Sequence, residues 1–297
     1  MKLLRQLRGC RCVIGEGPIW HTQNRSLYYT NGGGKSICIW HAPMDTLTIR
    51  HLSMDVAAMA FTLRGDMIVS RMDGVFLLRD DDTTLPLYDT ERYTIRYGND
   101  MKVGPDGAIY VGTQSEQRMG LSDRIDGKLY RIGVDGTVTV LLDGLRLSNG
   151  MAWSPDGTRF YHTDSDTGII REYAFANGEI RATGRAVAVP GVDGFTMDKA
   201  GRLYIGCWGQ GHIAVVDTVT MVVTETIPMP CGIPASCGFC GTHMDILAVT
   251  TASLDCDLEQ DPDAGFTCLY QTNTTAPLPY LFGCRMLGIE NVQGENI

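Results

Sequence analysis

None of the 297 residues falls in an uninterrupted apolar run approaching 18, the length at which a helix could cross a bilayer. The opening MKLLRQLRGCRC interleaves its leucines with Lys and Arg, so it lacks the apolar centre of a secretory signal. Basic residues are outnumbered, 25 against 34 acidic for a net charge of −9, and they are scattered along the chain. That pattern argues against nucleic acid and anionic membranes as partners. Also missing are Pro-rich, Ser/Gly-rich or single-sign stretches that would mark a linker, and any sustained helical period. These absences predict a cytoplasmic chain folded as one domain over 1–297. A tail over about 284–297 lies beyond the last recognisable strand, and no feature speaks to oligomeric state.

Cysteine is present, ten residues in all, but too dilute for a disulfide framework. Cys10/Cys12 and Cys237/Cys240 have no second Cys or His pair at a zinc-finger spacing, so all ten are predicted to be reduced, structural thiols. The chain has no GxSxG elbow, no HExxH helix and no GxGxxG strand-to-helix loop. Gly32-Gly33-Gly34-Lys35 lacks the spacing of a phosphate loop, and the six histidines show no ligand spacing. Serine-hydrolase, zinc-protease and nucleotide chemistry therefore have no carrier.

What the sequence does contain is a repeat. Six segments share the form turn, then apolar strand: 22-TQNRSLYYTN, 63-LRGDMIVS, 104-GPDGAIYVGT, 154-SPDGTRFYHTD, 198-DKAGRLYIGC and 241-GTHMDILAVTT. Aligned on Leu27, Met67, Ile109, Phe160, Leu203 and Ile246, they recur roughly every 40 to 50 residues, the period of a propeller blade. Further short alternating strands follow within a period, such as 128-KLYRI and 137-TVTVLL. The expected fold is all-β, a six-bladed β-propeller with a central channel.

The innermost strand of each blade lines that channel, so equivalent positions in successive blades form a ring. Ten or eleven residues before the anchors stand Glu16, Val56 or Ala57, Asn99, Asn149, Asp193 and Ser236. Four of the six are a carboxylate or a carboxamide. Asn-Gly and Asp-Gly are also common turn pairs, but four such side chains at one register of a closed repeat point to a shared purpose. Two carboxylates aimed at one axis repel unless a cation lies between them. Glu16 and Asp193, with Asn149 and Asn99 as neutral oxygens, form a hard donor set. It suits one divalent ion, Ca²⁺ first, with Mg²⁺, Mn²⁺ or Zn²⁺ as alternatives.

The same residues carry a resemblance. The segments 15-GEGPIW-20, 99-NDMKVGPDGAIYVGT-113, 148-SNGMAWSPDG-157 and 193-DGFTMDKAGRLYIG-206 resemble the hallmark blocks of the SMP-30/gluconolactonase/LRE, or regucalcin-like, family. The resemblance implies a propeller holding one divalent metal on Glu16, Asn149 and Asp193 and opening sugar or other lactones. It also implies that Asn99 and the segment Gln114-Ser115-Glu116-Gln117 face the substrate, and that Asp100 matches the acid following the family's Asn.

One departure stands out. The family's Arg lies two residues before the Asn, where this chain has Tyr97, with Arg96 displaced by one. Alternation along a strand would turn Arg96 away from the channel unless the backbone bulges. Gln117 replaces a second Glu found in relatives. The expected function is a metal-dependent lactone hydrolase with Asp193 as general base and Asn99, Asp100, Glu116, Tyr97 and Arg96 at the substrate. The loss of the arginine points to a lactone less anionic or less polar than a sugar-acid substrate. Two rivals remain: a calcium-binding propeller scaffold without activity, and a phosphotriesterase-like hydrolase on the same metal.

Overall fold

A computed structural model describes residues 1–283; the tail expected from 284 onward lies outside the described residues. The chain opens with strand β1 (Lys2–Leu7) and then lays down four-stranded antiparallel sheets in succession. The first holds β2 (Ile14–His21), β3 (Ser26–Gly32), β4 (Ser36–His41) and β5 (Thr46–His51); the second holds β6 (Ala58–Phe61), β7 (Met67–Arg71), β8 (Gly74–Leu78) and β9 (Thr84–Pro86). The third comprises β10 (Gly98–Val103), β11 (Ile109–Thr113), β12 (Gly127–Ile132) and β13 (Val138–Leu145). Next come β14 (Ser148–Trp153), β15 (Arg159–Asp164), β16 (Ile169–Ala176) and β17 (Glu179–Ala188), then β18 (Val192–Met197), β19 (Arg202–Cys207), β20 (His212–Asp217) and β21 (Val222–Pro228). The last sheet, in the order β1-β24-β23-β22, joins β22 (Pro234–Cys240), β23 (Ile246–Thr251) and β24 (Thr267–Gln271) to the first strand of the chain. The molecule is all-β, a six-bladed propeller. Its one helical element among the described residues is a 3-10 turn, Ser165–Thr167.

Each of the six anchors read from the sequence falls in the second strand of its blade. No innermost strand carries an exposed residue, and β6, β14 and β22 are buried throughout. Core side chains fill the wedges between blades. Tyr110, Trp153 and Phe160 stack in the wedge between the third and fourth, with ring centres 4.8 Å (Tyr110 to Trp153) and 4.9 Å (Trp153 to Phe160) apart. Turn residues behave as turn chemistry requires: Asp156 Oδ1 accepts the Thr158 amide at 3.0 Å and Asp106 Oδ2 accepts Arg131 Nε at 2.8 Å. Neither acid faces the channel's ring of oxygens.

Two features were not read from the sequence. Pairing of β1 with β24 closes the ring noncovalently, so the two ends of the propeller meet in one blade. After β24 the chain crosses below the channel: Lys199 N bonds Thr275 O at 2.8 Å, Ala276 N bonds Met244 O at 2.9 Å, and Phe282, fully buried, bridges to Thr62 in the second blade. Under this strap lies a cavity of about 130 Å³ lined by residues including Trp20, Met59, Lys102, Trp153, Phe239 and Leu278.

The expectation that every cysteine stays a thiol fails at one pair. Cys10, in the link from β1 to β2, forms a disulfide with Cys38 in β4, their Cα atoms 6.8 Å apart; Cys12 Sγ lies 3.9 Å from Cys10 Sγ. A pairing between residues 28 apart depends on how the link crosses the first blade, which spacing does not reveal. Cys237 and Cys240 are buried thiols as expected.

Candidate functional site

Strands β2, β10, β14, β18 and β22 share an irregularity. Each breaks register against its second strand near the same end, between Glu16 and Ile19, Gly98 and Met101, Ser148 and Met151, Val192 and Phe195, and Pro234 and Ser236. Bulges bend a strand and re-aim its side chains. Here they recur at the positions where Glu16, Asn99, Asn149 and Asp193 stand, so the oxygen ring of the sequence is also a ring of bulges. The glycines after two of these residues are not turn residues: Gly150 and Gly194 lie inside β14 and β18. A Cβ on Gly150 would collide with Asp193 O and the Phe195 ring, and one on Gly194 would collide with Ser236. Glycine there lets adjacent inner strands approach closely.

The side chains converge from four blades. Asn149 Nδ2 donates to Asp193 Oδ1, and Asn99 Nδ2 donates to Ser148 O at 3.0 Å. Asn149 and Asp193 are each 5 % exposed and Asp100 8 %, while Glu16 is half-buried. Burial pushes the Glu16 carboxyl well above the usual range, and the charges of Asp193 and Asp100 push it further. Asp193 is raised by burial and by Asp100, against the opposing Asn149 amide and the Arg118 guanidinium. Asp100 is raised by burial, with Lys102 and the Met101 amide pulling the other way. Its Oδ1 accepts that amide at 2.8 Å, but its Oδ2 is buried without a partner.

An inward set of carboxylates held away from water is costly unless compensated. The donors fit a hard divalent cation: two carboxylates from Glu16 and Asp193 and an amide Oδ1 from Asn149 that accepts no hydrogen bond among the described residues, with the orphaned Asp100 Oδ2 nearby. Lys102 lines the cavity, and its Nζ donates to Phe195 O. Burial lowers its pKa while Asp100 supports its charge. Lys102 was missed in the sequence although it is two residues after Asp100 in β10, hence on the same face.

The residues expected at the substrate are less uniformly gathered. Glu116 lies in the connection 114–126 between β11 and β12, where its Oε2 accepts Ser122 Oγ at 2.7 Å and Arg124 Nη1 stands 3.8 Å away. Tyr97 precedes β10 in a left-handed conformation, φ 58°, with its N bonded to Met72 O at 2.7 Å. The left-handed residue at Tyr97 thus directly precedes the register break between Gly98 and Met101. Arg96 is exposed and makes no hydrogen bond or ion pair among the described residues.

The family model for the SMP-30/Gluconolactonase/LRE-like region matches residues 14–253. The chain belongs to that family. Among its relatives is regucalcin of Gallus gallus, 28% identical over 271 residues that cover 86% of this chain and 89% of the other. A Bacillus subtilis protein whose name proposes it as a sugar lactone lactonase is 26% identical over 285 residues, covering 91% and 96%. Solved structures share the fold. A calcium-binding regucalcin from Agrobacterium tumefaciens superposes with a TM-score of 0.83 at 21% identity, over 94% of this chain and 97% of that one. A gluconolactonase from Xanthomonas campestris gives 0.70 at 20%, covering 91% and 94%. Residues 14–253 contain every member of the oxygen ring, from Glu16 in the first blade of this family member to Asp193 in the fifth. No helix among the described residues is long and apolar enough to cross a membrane.

Proposed function

We propose that this family member is a metal-dependent lactone hydrolase acting at the mouth of the propeller channel, on a small sugar-like lactone in the cytoplasm. The observation that carries the reading is the convergence of Glu16, Asn149 and Asp193, whose two carboxylates have no ion-pair partner among the described residues. Relatives named for gluconolactone and sugar lactone hydrolysis, and one described as calcium-binding, support it. Glu16, Asn149 and Asp193 would hold the divalent ion, Ca²⁺ in the first instance, which when bound supplies Lewis-acid polarisation of the ring carbonyl.

The chain's own residues do the rest. Asp193 takes the proton from the water that attacks the carbonyl carbon; as the ring C–O bond breaks, the proton passes to the departing alkoxide, leaving the hydroxy acid. Asp100, with an uncommitted oxygen, is the second candidate for that base. Asn99 and Glu116 hold substrate hydroxyls, and the ring of Tyr97 forms a wall. An Asp193→Asn variant keeps the size and the hydrogen-bonding reach of the side chain but cannot accept the proton. Assayed on a panel of aldonolactones and aliphatic lactones, it should lose at least about a hundredfold in kcat. Near wild-type turnover would transfer the role to Asp100, and a wild type that opens no lactone would remove the reading altogether.

A further inference from the structure

The connection 114–126 leaves β11 on the face where the oxygen ring opens and folds back at once. Arg118 N bonds Ser115 Oγ at 3.1 Å, Met119 N bonds Ser115 O at 3.1 Å, and Gly120 N bonds Gln117 O at 3.0 Å. Two bonds tie this loop to the approach of the next inner strand: Gln114 bridges to Leu147, and Ser115 N bonds Arg146 O at 2.9 Å. The loop is therefore fixed beside Ser148 and Asn149. Its Arg118 projects to the 3-10 turn that follows Asp164, the residue paired with Ser148 across β14 and β15. There Arg118 Nε lies 3.8 Å from Asp166 Oδ1.

That distance is an ion pair and not a hydrogen bond. Asp166 holds the guanidinium in place by charge without consuming its five N–H donors, and no other partner engages the side chain among the described residues. Other arginines are spent: Arg124 on Asp126 at 3.1 Å, Arg131 on Asp106 at 2.8 Å, Arg202 on Asp198 at 2.7 Å. Arg96 and Arg146 are exposed as well, but Arg118 stands on the loop that Gln114 and Ser115 tie to Leu147 and Arg146, the residues leading into Ser148 and Asn149. The side chain is 50 % exposed, so it is reachable from solvent beside the strand that carries Asn149.

We infer that Arg118 is the specificity-determining cation of this site, recognising a carboxylate or phosphate that the lactone carries away from its ring carbonyl. The inference rests on the lactone reading above. It also revises the expectation drawn from Tyr97: position 97 brings no charge, but the loop whose first residue, Gln114, bonds Tyr97 O at 2.9 Å does. A planar guanidinium with free donors matches a carboxylate or phosphate in two-point fashion, which a lysine matches only as a point charge.

The test compares kcat/KM for a neutral aldonolactone and for a lactone of the same ring size carrying a free carboxylate, in wild type, Arg118→Ala and Arg118→Lys. The ratio of anionic to neutral activity should fall roughly 10- to 150-fold in the alanine variant, chiefly through KM, and Arg118→Lys should retain an intermediate ratio. Thermal melts confirm that the variants fold. A ratio unchanged within about twofold, or equal losses on both substrates, overturns the role of Arg118 and leaves the lactonase reading standing. If wild type opens neither lactone, the lactonase reading fails instead; calorimetric binding of an open-chain dicarboxylate sugar acid to wild type and Arg118→Ala then decides the anion site, and equal affinity or no binding overturns it.

Discussion

Asn149 is followed by glycine because the Phe195 ring and the Asp193 carbonyl of the next blade occupy the space where a side chain would be, and at the glycine after Asp193 the Ser236 side chain does the same. The pairs look like turns in the sequence, and only the strand assignment shows that they are contact points between inner strands. Glu16, Asn99, Asn149 and Asp193 were legible because a repeat multiplies a weak signal: one oxygen at one register means little, four mean a ring. Arg118 was not legible, since a loop position has no periodic partner to compare with. His162 illustrates a further kind of residue. Buried beside Ser148, with its Nε2 2.8 Å from Ser148 Oγ, it is pushed down to about 3, first by burial and then by the charge of Arg171. The unfolded chain titrates near 6.5, so this group's stabilisation is complete above that pH and is lost as pH falls towards 3. The slope is at most about 1.4 kcal/mol per pH unit. Urea unfolding at pH 6.5 and pH 5 should show wild type losing about 1.6 kcal/mol more than His162→Gln over that interval; identical losses would mean the histidine takes up its proton without unfolding.

The strands were legible to different degrees. Second strands carry the densest apolar runs and served as anchors, and β12 and β13 announced themselves by alternation between turn residues. The outer strand β1 did not. Leu3 and Leu4 are both largely exposed, and the register against β24 slips between Leu3 and Arg5, so the segment has no clean inward face to read. Its function is nevertheless to complete the last blade, where Leu7 is buried and β24 would otherwise be an open edge. Removal of residues 1–8 should therefore lower the melting temperature and produce concentration-dependent aggregates detectable by light scattering. A truncated chain that stays monodisperse and melts where the wild type does would show that β24 does not need the partner.

Across the whole molecule the architecture separates two mouths of one channel. Carboxylates and amides ring one end, while the strap over 272–283 covers an apolar cavity at the other, with Lys102 between them. A net charge of −9 raises the local concentration of cations, and on the proposed reading the ring of bulges would supply the place where one is held. The central claim is that one divalent ion sits on Glu16, Asn149 and Asp193 and that lactone opening depends on it. Chelator-stripped wild type and Glu16→Gln can be titrated with Ca²⁺ while lactone opening is followed by acid release. Wild type should be inactive when stripped and recover fully at about one bound ion per chain, with Glu16→Gln remaining inactive at the same free Ca²⁺. Full activity of the stripped wild type, or equal recovery of both proteins at equal Ca²⁺, would contradict it.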